Sequence, residues 1–387
     1  MKFETFNFHP SVAAGVAEAG FKIPTPIQAR AIPKISAGRD VMGLAQTGTG
    51  KTAAFVLPIL NRLVKNTYKG VRSLIIAPTR ELAEQIHQAI KILSCETRIR
   101  SVAVYGGVGI NPQIQKLKRA DIVVACPGRL LDHIRRRTID LSQVEALVID
   151  EADQLFDMGF MPDIRRILKH LPVKRQTLLF SATMPQEVRQ LAENILRDPT
   201  TVRMGITAPA DTVNHALYPV AQHLKTSLLL KLLENTKSVL VFTRTKHRAK
   251  SLGKKLVAAG YRSTSLQGDL SQIRRRQALE GFRDGTFQIL VATDIAARGI
   301  DVARISHVIN YDMPSTPEAY IHRIGRTGRA THNGEAITLV TGEDKKMVRS
   351  INRTIGSKIE QRVLSTFDYE SPTSNSEVRL QCTRKPK

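Results

Sequence analysis

Short apolar runs recur along the first half of the chain, each closed by Gly, Pro, Thr or Asp: VMGLA (41–45), SLIIAP (73–78), SVAVYGG (101–107), DIVVACPG (121–128), ALVID (146–150) and QTLLFSAT (176–183). Near-continuous hydrophobicity and β-branched content predict strands buried on both faces. Between them, segments such as TAAFVLPILNRLV and RELAEQIHQAIKIL carry apolar residues three and four apart and predict helices. Strand alternating with helix predicts βαβ units and a parallel sheet. The rhythm breaks over TVRMGITAPADTVNH (201–215) and restarts with SVLVFTR (238–244), RSTSLQG (262–268), QILVATD (288–294), SHVINYD (306–312) and EAITLVT (335–341). A chain of 387 residues exceeds what one hydrophobic core ordinarily serves. The expected organisation is a first domain at 1–206, a linker at 207–215, a second domain at 216–364 and a polar, basic-ended tail at 365–387. Each domain is expected to be α/β, a mostly parallel sheet with helices on both faces.

Composition narrows the class. Hydrophobic residues make up 42% and charged residues 24%, as in a globular protein. Lys and Arg number 58 against 34 Asp and Glu, a net charge of +24, which calls for a polyanionic partner, either nucleic acid or an anionic membrane. The opening MKFETFNFHP has no apolar run like a signal peptide, and no segment approaches the ~18 apolar residues of a membrane span. Nucleic acid in the cytoplasm, with no membrane partner, is therefore expected. Cys95, Cys126 and Cys382 are scattered and odd in number, which reads as reduced thiols rather than zinc ligands. Trp is absent and aromatics are 5%, so nucleic-acid contacts should lean on phosphate and sugar rather than on stacking.

Three stretches carry chemistry. AQTGTGKT (45–52) follows one predicted strand and precedes a helix. Gly48 and Gly50 let backbone N–H groups wrap a phosphate chain, Lys51 reaches the β/γ-phosphates, and the Thr52 hydroxyl suits Mg²⁺. Ala45 stands where the strict P-loop pattern has Gly. In LVIDEAD (147–153), Asp150 at a strand end would hold the water shell of a nucleotide-bound metal, and Glu151 would orient and deprotonate an attacking water. By itself this stretch also fits a strand end with a solvated acidic turn; beside a P-loop it reads as a hydrolytic site. HRIGRTGR (322–329) spaces Arg323, Arg326 and Arg329 three apart, so that on one side of a helix they would reach a shared anion or act as arginine fingers from the other domain. A solvated basic helix face is the alternative there, as for Arg135–Arg137 and Arg274–Arg276.

In order and rough spacing, IPTPIQ (23–28), AQTGTGKT, PTREL (78–82), DEAD (150–153), SAT (181–183), TDIAARGID (293–301) and HRIGRTGR resemble the DEAD-box ATP-dependent RNA helicases over residues 1 to 360, most like the bacterial RhlE-type subfamily. The resemblance implies two tandem RecA-like domains that use ATP and Mg²⁺ to close on single-stranded RNA, unwinding short duplexes or remodelling RNA–protein complexes. It implies catalysis by Lys51, Asp150, Glu151, His322, Arg326 and Arg329. The nucleotide would be held by Phe21 stacking on adenine, with Phe3 matching the motif's isolated upstream aromatic, by Thr25, and by Gln28 on the adenine edge. Ala45, Gln46, Thr47, Gly48, Thr49, Gly50, Lys51 and Thr52 would take the phosphates, and Asp301 the ribose. Mg²⁺ would be met by Thr52 and Asp150, largely through water. Asp153, Ser181 and Thr183 would couple hydrolysis to strand separation.

The RNA backbone would meet Pro78, Thr79, Arg80, Gly106, Gly107, Gly128 and Arg129 in the first domain. In the second it would meet Arg244, Gly268, Asp269, Gln272, Arg275 and Thr293, with ribosomal or RNA-decay proteins as candidate partners. Two positions depart from the family pattern. Cys126 replaces a Thr before Pro-Gly-Arg, and Gln267 replaces a His before Gly-Asp. A DNA-directed helicase and an RNA-binding clamp or scaffold with little ATPase are the rival readings.

Overall fold

The computed structural model describes residues 1–45, 48–65, 70–204, 213–234, 236–297, 305–327 and 334–370. The first sheet comprises β1 (Val41–Leu44), β2 (Ser73–Ile76), β3 (Ser101–Val104), β4 (Ile122–Ala125), β5 (Ala146–Ile149), β6 (Gln176–Ser181) and β7 (Thr200–Arg203). The second comprises β8 (Val213–Pro219), β9 (Val239–Phe242), β10 (Ser263–Leu266), β11 (Ile289–Ala292), β12 (His307–Asn310), β13 (Gly334–Val340) and β14 (Glu360–Gln361). The spatial orders are β3-β4-β2-β5-β6-β1-β7 and β10-β11-β9-β12-β13-β8-β14. Seven positions apart in chain order, each strand of one sheet has its counterpart in the other, so the two sheets share one topology. Every pairing is parallel.

Burial on both faces explains the continuous apolar runs. In the first sheet Ile75, Val124, Val148 and Leu178 face one core, and their neighbours Leu74, Val123, Leu147 and Leu179 face the other. Val239, Val241 and Val291 against Leu240, Phe242 and Leu290 repeat the alternation in the second. Period-2 alternation of side chains thus supplies two helix-covered layers per sheet. The expected two-domain α/β architecture with parallel sheets is what the chain forms.

Three strands escape sequence patterning. Thr200–Arg203, which begins where the apolar rhythm breaks, is β7, paired to β1 (Val41↔Thr200); only Val202 of its four residues is buried. β8 begins at Val213, so 213–215 of the expected linker are strand. β14 is two exposed residues. These lie at or near one edge of each sheet, where one-sided burial removes the apolar signal. The remaining apolar runs are shorter as strands than as sequence, because their last residues turn into loops at the carboxyl edge of the sheet.

Candidate active site

The loop after β1 is shaped by glycine. Gly48 and Gly50 have φ of +85° and +91°, a region that disfavours side chains, and Gly50 caps the helix Lys51–Leu63. A Cβ on Gly50 would come within 2.5 Å of Gln28 Nε2. Gln28 itself is clamped: its Oε1 accepts the Thr25 N–H at 2.9 Å and its Nε2 donates to the Gly50 carbonyl at 3.1 Å. One Nε2 hydrogen and one Oε1 lone pair remain for an adenine edge. Phe21 is 38% exposed and stacks on buried Phe3 with centroids 5.9 Å apart and planes at 22°, leaving an aromatic platform beside this glutamine. Gln46 and Thr47 lie outside the described residues, as does Asp301.

Lys51 is buried and donates from Nζ to the Ala45 carbonyl at 2.9 Å. The Asp150 carboxylate lies within its field. Burial pushes the Asp150 carboxyl up to about 6; Lys51 opposes this, while Glu151 and Asp153 add like charge. Glu151 takes φ +50°, the left-handed region in a residue with a side chain. Its N–H is held by Asp150 Oδ1 at 2.9 Å. Backbone strain of this kind concentrates where side chains must be aimed. Three buried carboxylates around one ammonium suit a hard, oxygen-seeking divalent cation, which would relieve the repulsion recorded in the Asp150 shift. Among the described residues no three His, Cys, Asp or Glu side chains form a cage for a metal. Asp150 and the half-buried Thr52 are the oxygen donors here that could meet such an ion.

Asp153 is the centre of a hydrogen-bonded junction. Its Oδ2 accepts from the N–H and hydroxyl of Thr183 (2.8 and 3.0 Å) and from Ala182 N–H (3.2 Å), and its own N–H donates to Ser181 Oγ (3.1 Å). The second domain meets this junction directly: His322 Nε2 lies 3.8 Å from Asp153 Oδ2. Burial lowers the His322 pKa, against the pull of Asp153 and with Arg326 adding to the depression.

HRIGRTGR does not form one basic helix face. The helix Pro317–Ile324 ends at Gly325, whose N–H returns to Ile321 and Arg323, so Arg326 stands on the turn beyond it. Arg323 is a buried strut: Nε and Nη2 grip Asp294 (2.5 and 2.7 Å), Nη1 reaches Asn310 Oδ1 and the Asp312 carbonyl, and the guanidinium covers the Phe242 ring at 5.0 Å. Arg326 is buried and lines a small inter-domain cavity with Gln154 and His322. Arg329 is outside the described residues.

The residues expected on RNA fall into two groups. Several sit just beyond the carboxyl ends of strands: Pro78 after β2, Gly106 and Gly107 after β3, Gly128 in the first turn of the helix that follows β4, exposed Arg244 after β9, exposed Gly268 after β10 and half-buried Thr293 after β11. A Cβ on Gly107 would overlap the Arg80 guanidinium, so this loop needs glycine to lie against Arg80. Others are already engaged within the protein. Thr79 Oγ1 caps the helix Arg80–Leu93 through Leu82 N–H (3.2 Å), Arg129 donates twice to the Val108 carbonyl (3.1 Å each), and Asp269 pairs with Lys246 (2.9 Å). Arg275 bonds across the domain interface to Glu81 (2.5 Å) and to the Ala296 carbonyl (2.9 Å). Gln272 begins the helix Gln272–Arg283, its side chain outside what is described.

Sequence reasoning did not assign Glu81, Asp294 or Asp312, and it set Arg323 beside Arg326 and Arg329 on a shared anion, whereas Arg323 is bonded inward to Asp294, Asn310 and Asp312. Glu81 lies inside PTREL, but nothing in the sequence links it to a residue 194 positions away. Cys126 is buried at the start of the helix Pro127–Arg135, and burial pushes its thiol up to about 12. Gln267 is buried and its Oε1 accepts the Asp269 N–H at 3.0 Å, a local role that needs no imidazole.

Residues 25–191 match the DEAD/DEAH box helicase family and residues 224–331 the helicase conserved C-terminal domain. The chain is 43% identical over 371 residues to the ATP-dependent RNA helicase CshA of Listeria monocytogenes, covering 95% of this chain and 71% of the relative. It is 43% identical over 377 residues to the DEAD-box ATP-dependent RNA helicase RhpA of Helicobacter pylori, covering 96% and 75%. Among solved structures it resembles S. cerevisiae Dbp5 bound to RNA and ADP BeF3, at 32% identity and a TM-score of 0.85 over 93% of this chain and 95% of that one.

Proposed function

The chain belongs to the DEAD/DEAH box helicase family and is an ATP-dependent RNA helicase, and from that premise we propose how its own residues carry the reaction. Lys51 and the N–H groups of the loop from Ala45 to Thr52 hold the triphosphate, with Phe21 and Gln28 fixing the adenine. Asp150 and Thr52 would hold Mg²⁺, which when bound would supply charge neutralisation at the phosphates. Glu151, aimed by its left-handed backbone, orients the attacking water and takes its proton. Arg326 and Arg329 approach the γ-phosphate from the second domain, and Asp301 the ribose.

The observation that carries this reading is the junction at Asp153, where His322 of one domain faces the carboxylate that binds the Ser181–Thr183 segment of the other. A hydrolytic site completed only when the domains meet makes ATP and RNA binding favour the same closed state. The exposed carboxyl-edge loops of both domains then form one groove for a sugar–phosphate strand, and a bent single strand there excludes its complement. Hydrolysis at Glu151 reopens the clamp.

Within the family we place the chain with bacterial members of the RhlE type, on the motif resemblance; the relatives named above are CshA and RhpA. We also assign it to the cytoplasm, with ribosomal or RNA-decay proteins as partners and domain limits at 1–206 and 216–364. ATP hydrolysis measured without nucleic acid, with single-stranded RNA and with DNA of the same sequence tests the mechanism. RNA should stimulate, DNA should not, and Glu151→Gln should lower the RNA-stimulated rate by about 10²- to 10⁴-fold while ATP still binds. Equal stimulation by DNA would point to the DNA-directed reading, and a Glu151→Gln rate like the wild type would remove Glu151 as the base.

A further inference from the structure

At the amino end of β3, away from the ATP and RNA loops at its carboxyl end, lies a cleft of about 840 Å³ lined by His87, Lys91, Arg100, Lys116, Lys118 and Arg119. It is the seam between the last turns of the helix Arg80–Leu93 and the helix Ile110–Leu117. All five Lys and Arg residues are exposed, and among the described residues none of them makes an ion pair. Exposed cations without an ion pair among the described residues occur elsewhere too, Lys22, Lys34, Lys254 and Lys255 among them; here five such charges line one concave seam.

Asp121, which follows the lining residue Ala120, is committed to the Arg100 N–H at 2.8 Å and lies 3.8 Å from Arg72. The local field is felt by half-buried His87, which is bonded to Ser101 Oγ at 2.8 Å. Burial lowers its pKa, Lys91 and Lys116 lower it further, and Glu84 alone opposes them. Concentrated, uncompensated positive charge in a concave seam is an electrostatic trap for a polyanion.

Position selects the polyanion. The helix Arg80–Leu93 starts at the proposed RNA residue Arg80 and ends in this cleft at Lys91, eleven residues or ~16 Å further on. β3 runs beside it and delivers Gly106 and Gly107 to the groove. β3 is the edge strand of its sheet, so no further strand blocks the way. We propose that this cleft holds the phosphodiester backbone of RNA that continues past the inter-domain groove, a second RNA site on the first domain. It rests on the RNA-clamp reading above and extends it. About five nucleotides at a stacked rise near 3.4 Å would span the distance.

The test uses the full chain with a non-hydrolysable ATP analogue and two oligouridylates. One is short enough to fill only the groove; the other is extended by about ten nucleotides at each end. In Lys91→Gln/Lys116→Gln/Lys118→Gln, affinity for the short RNA and ATPase stimulation by it should equal the wild type, which also shows that the variant is folded and the clamp works. The advantage of the long RNA should shrink. The slope of log K against log salt for the long RNA should be shallower by about 2, since each phosphate neutralised on a single strand contributes about 0.7.

Unchanged long-RNA binding in the variant would overturn the proposal. If a polyglutamate peptide then bound the wild type and not the variant, the cleft would be a site for an acidic protein instead. Equal losses for short and long RNA would also overturn it, since the charges would then act on the groove as a whole.

Discussion

Glu81→Gln is the sharpest single perturbation of domain closure. Glu81 belongs to the first domain and Arg275 to the second. Their side chains are 12% and 14% exposed and their Oε1 and Nε atoms lie 2.5 Å apart. At an effective dielectric near 20 the attraction at that separation is roughly 7 kcal/mol. Desolvating both ions offsets much of it. Arg275 keeps its bond to the Ala296 carbonyl in either case, so about 2 kcal/mol of closure energy should be lost. That is about 30-fold in the closure equilibrium.

Among the described residues Glu81 is bonded to neither the nucleotide loops nor Arg326. Steady-state ATPase should therefore show the RNA concentration for half-maximal rate rising about 30-fold. ATP affinity without RNA should be unchanged, and much of kcat should return at saturating RNA. A double-mutant cycle with Arg275→Gln should give a coupling energy of about 2 kcal/mol. If Arg275→Gln weakens RNA binding while Glu81→Gln does not, Arg275 acts on RNA directly and the latch reasoning is refuted.

Phe3→Leu keeps an apolar side chain in the core but removes the ring beneath Phe21. A stacking loss of about 1 kcal/mol should raise KM for ATP roughly fivefold with kcat retained; no change would place the adenine elsewhere. Closure should also depend on pH. The closed form holds His322 with a lowered pKa, facing Asp153, Glu151, Arg326 and Lys51. The open form, with solvent at the ring, should titrate near 6.5. Between those values the open form binds the extra proton, so closure is fully favoured above about pH 6.5 and weakens as pH falls through the window. RNA affinity with a non-hydrolysable ATP analogue should follow that course and flatten in His322→Gln; Asp150, titrating near 6, is common to both chains. Finally, Cys95 is exposed, whereas Cys126 is buried with its thiol pushed up to about 12. Iodoacetamide at pH 8 should alkylate Cys95 well before Cys126, as peptide mapping would show, and comparable rates would contradict the burial.

Much of the fold could be read in the sequence because both sheets are buried on both faces, so runs such as SLII and ILVA carry an apolar signal that needs no partner to interpret. β7 and β14 could not, since an edge strand with one buried residue or none looks like loop. The proposed nucleotide site could be picked out for a different reason. Its chemistry sits on contiguous loops, where glycine, lysine and carboxylate must follow one another in fixed order. Contacts between domains have no such signature. Arg275 sits in a basic run that resembles a solvated face until Glu81 is placed against it. Arg323, three residues from Arg326 and of the same charge, turns inward to Asp294 while Arg326 lines the interface. Spacing alone does not separate a strut from a finger.

Closure of the two domains on RNA and ATP together is the central claim. It is read most directly from the distance between dyes placed at exposed Gln143 and Lys254, one in each domain, in a chain whose Cys95 and Cys382 have been replaced. A high-transfer state that appears only when RNA and a non-hydrolysable ATP analogue are both present, and that is lost in Glu81→Gln at limiting RNA, is the predicted result. High transfer with either ligand alone, or transfer that ignores both, would contradict a clamp driven by their joint binding.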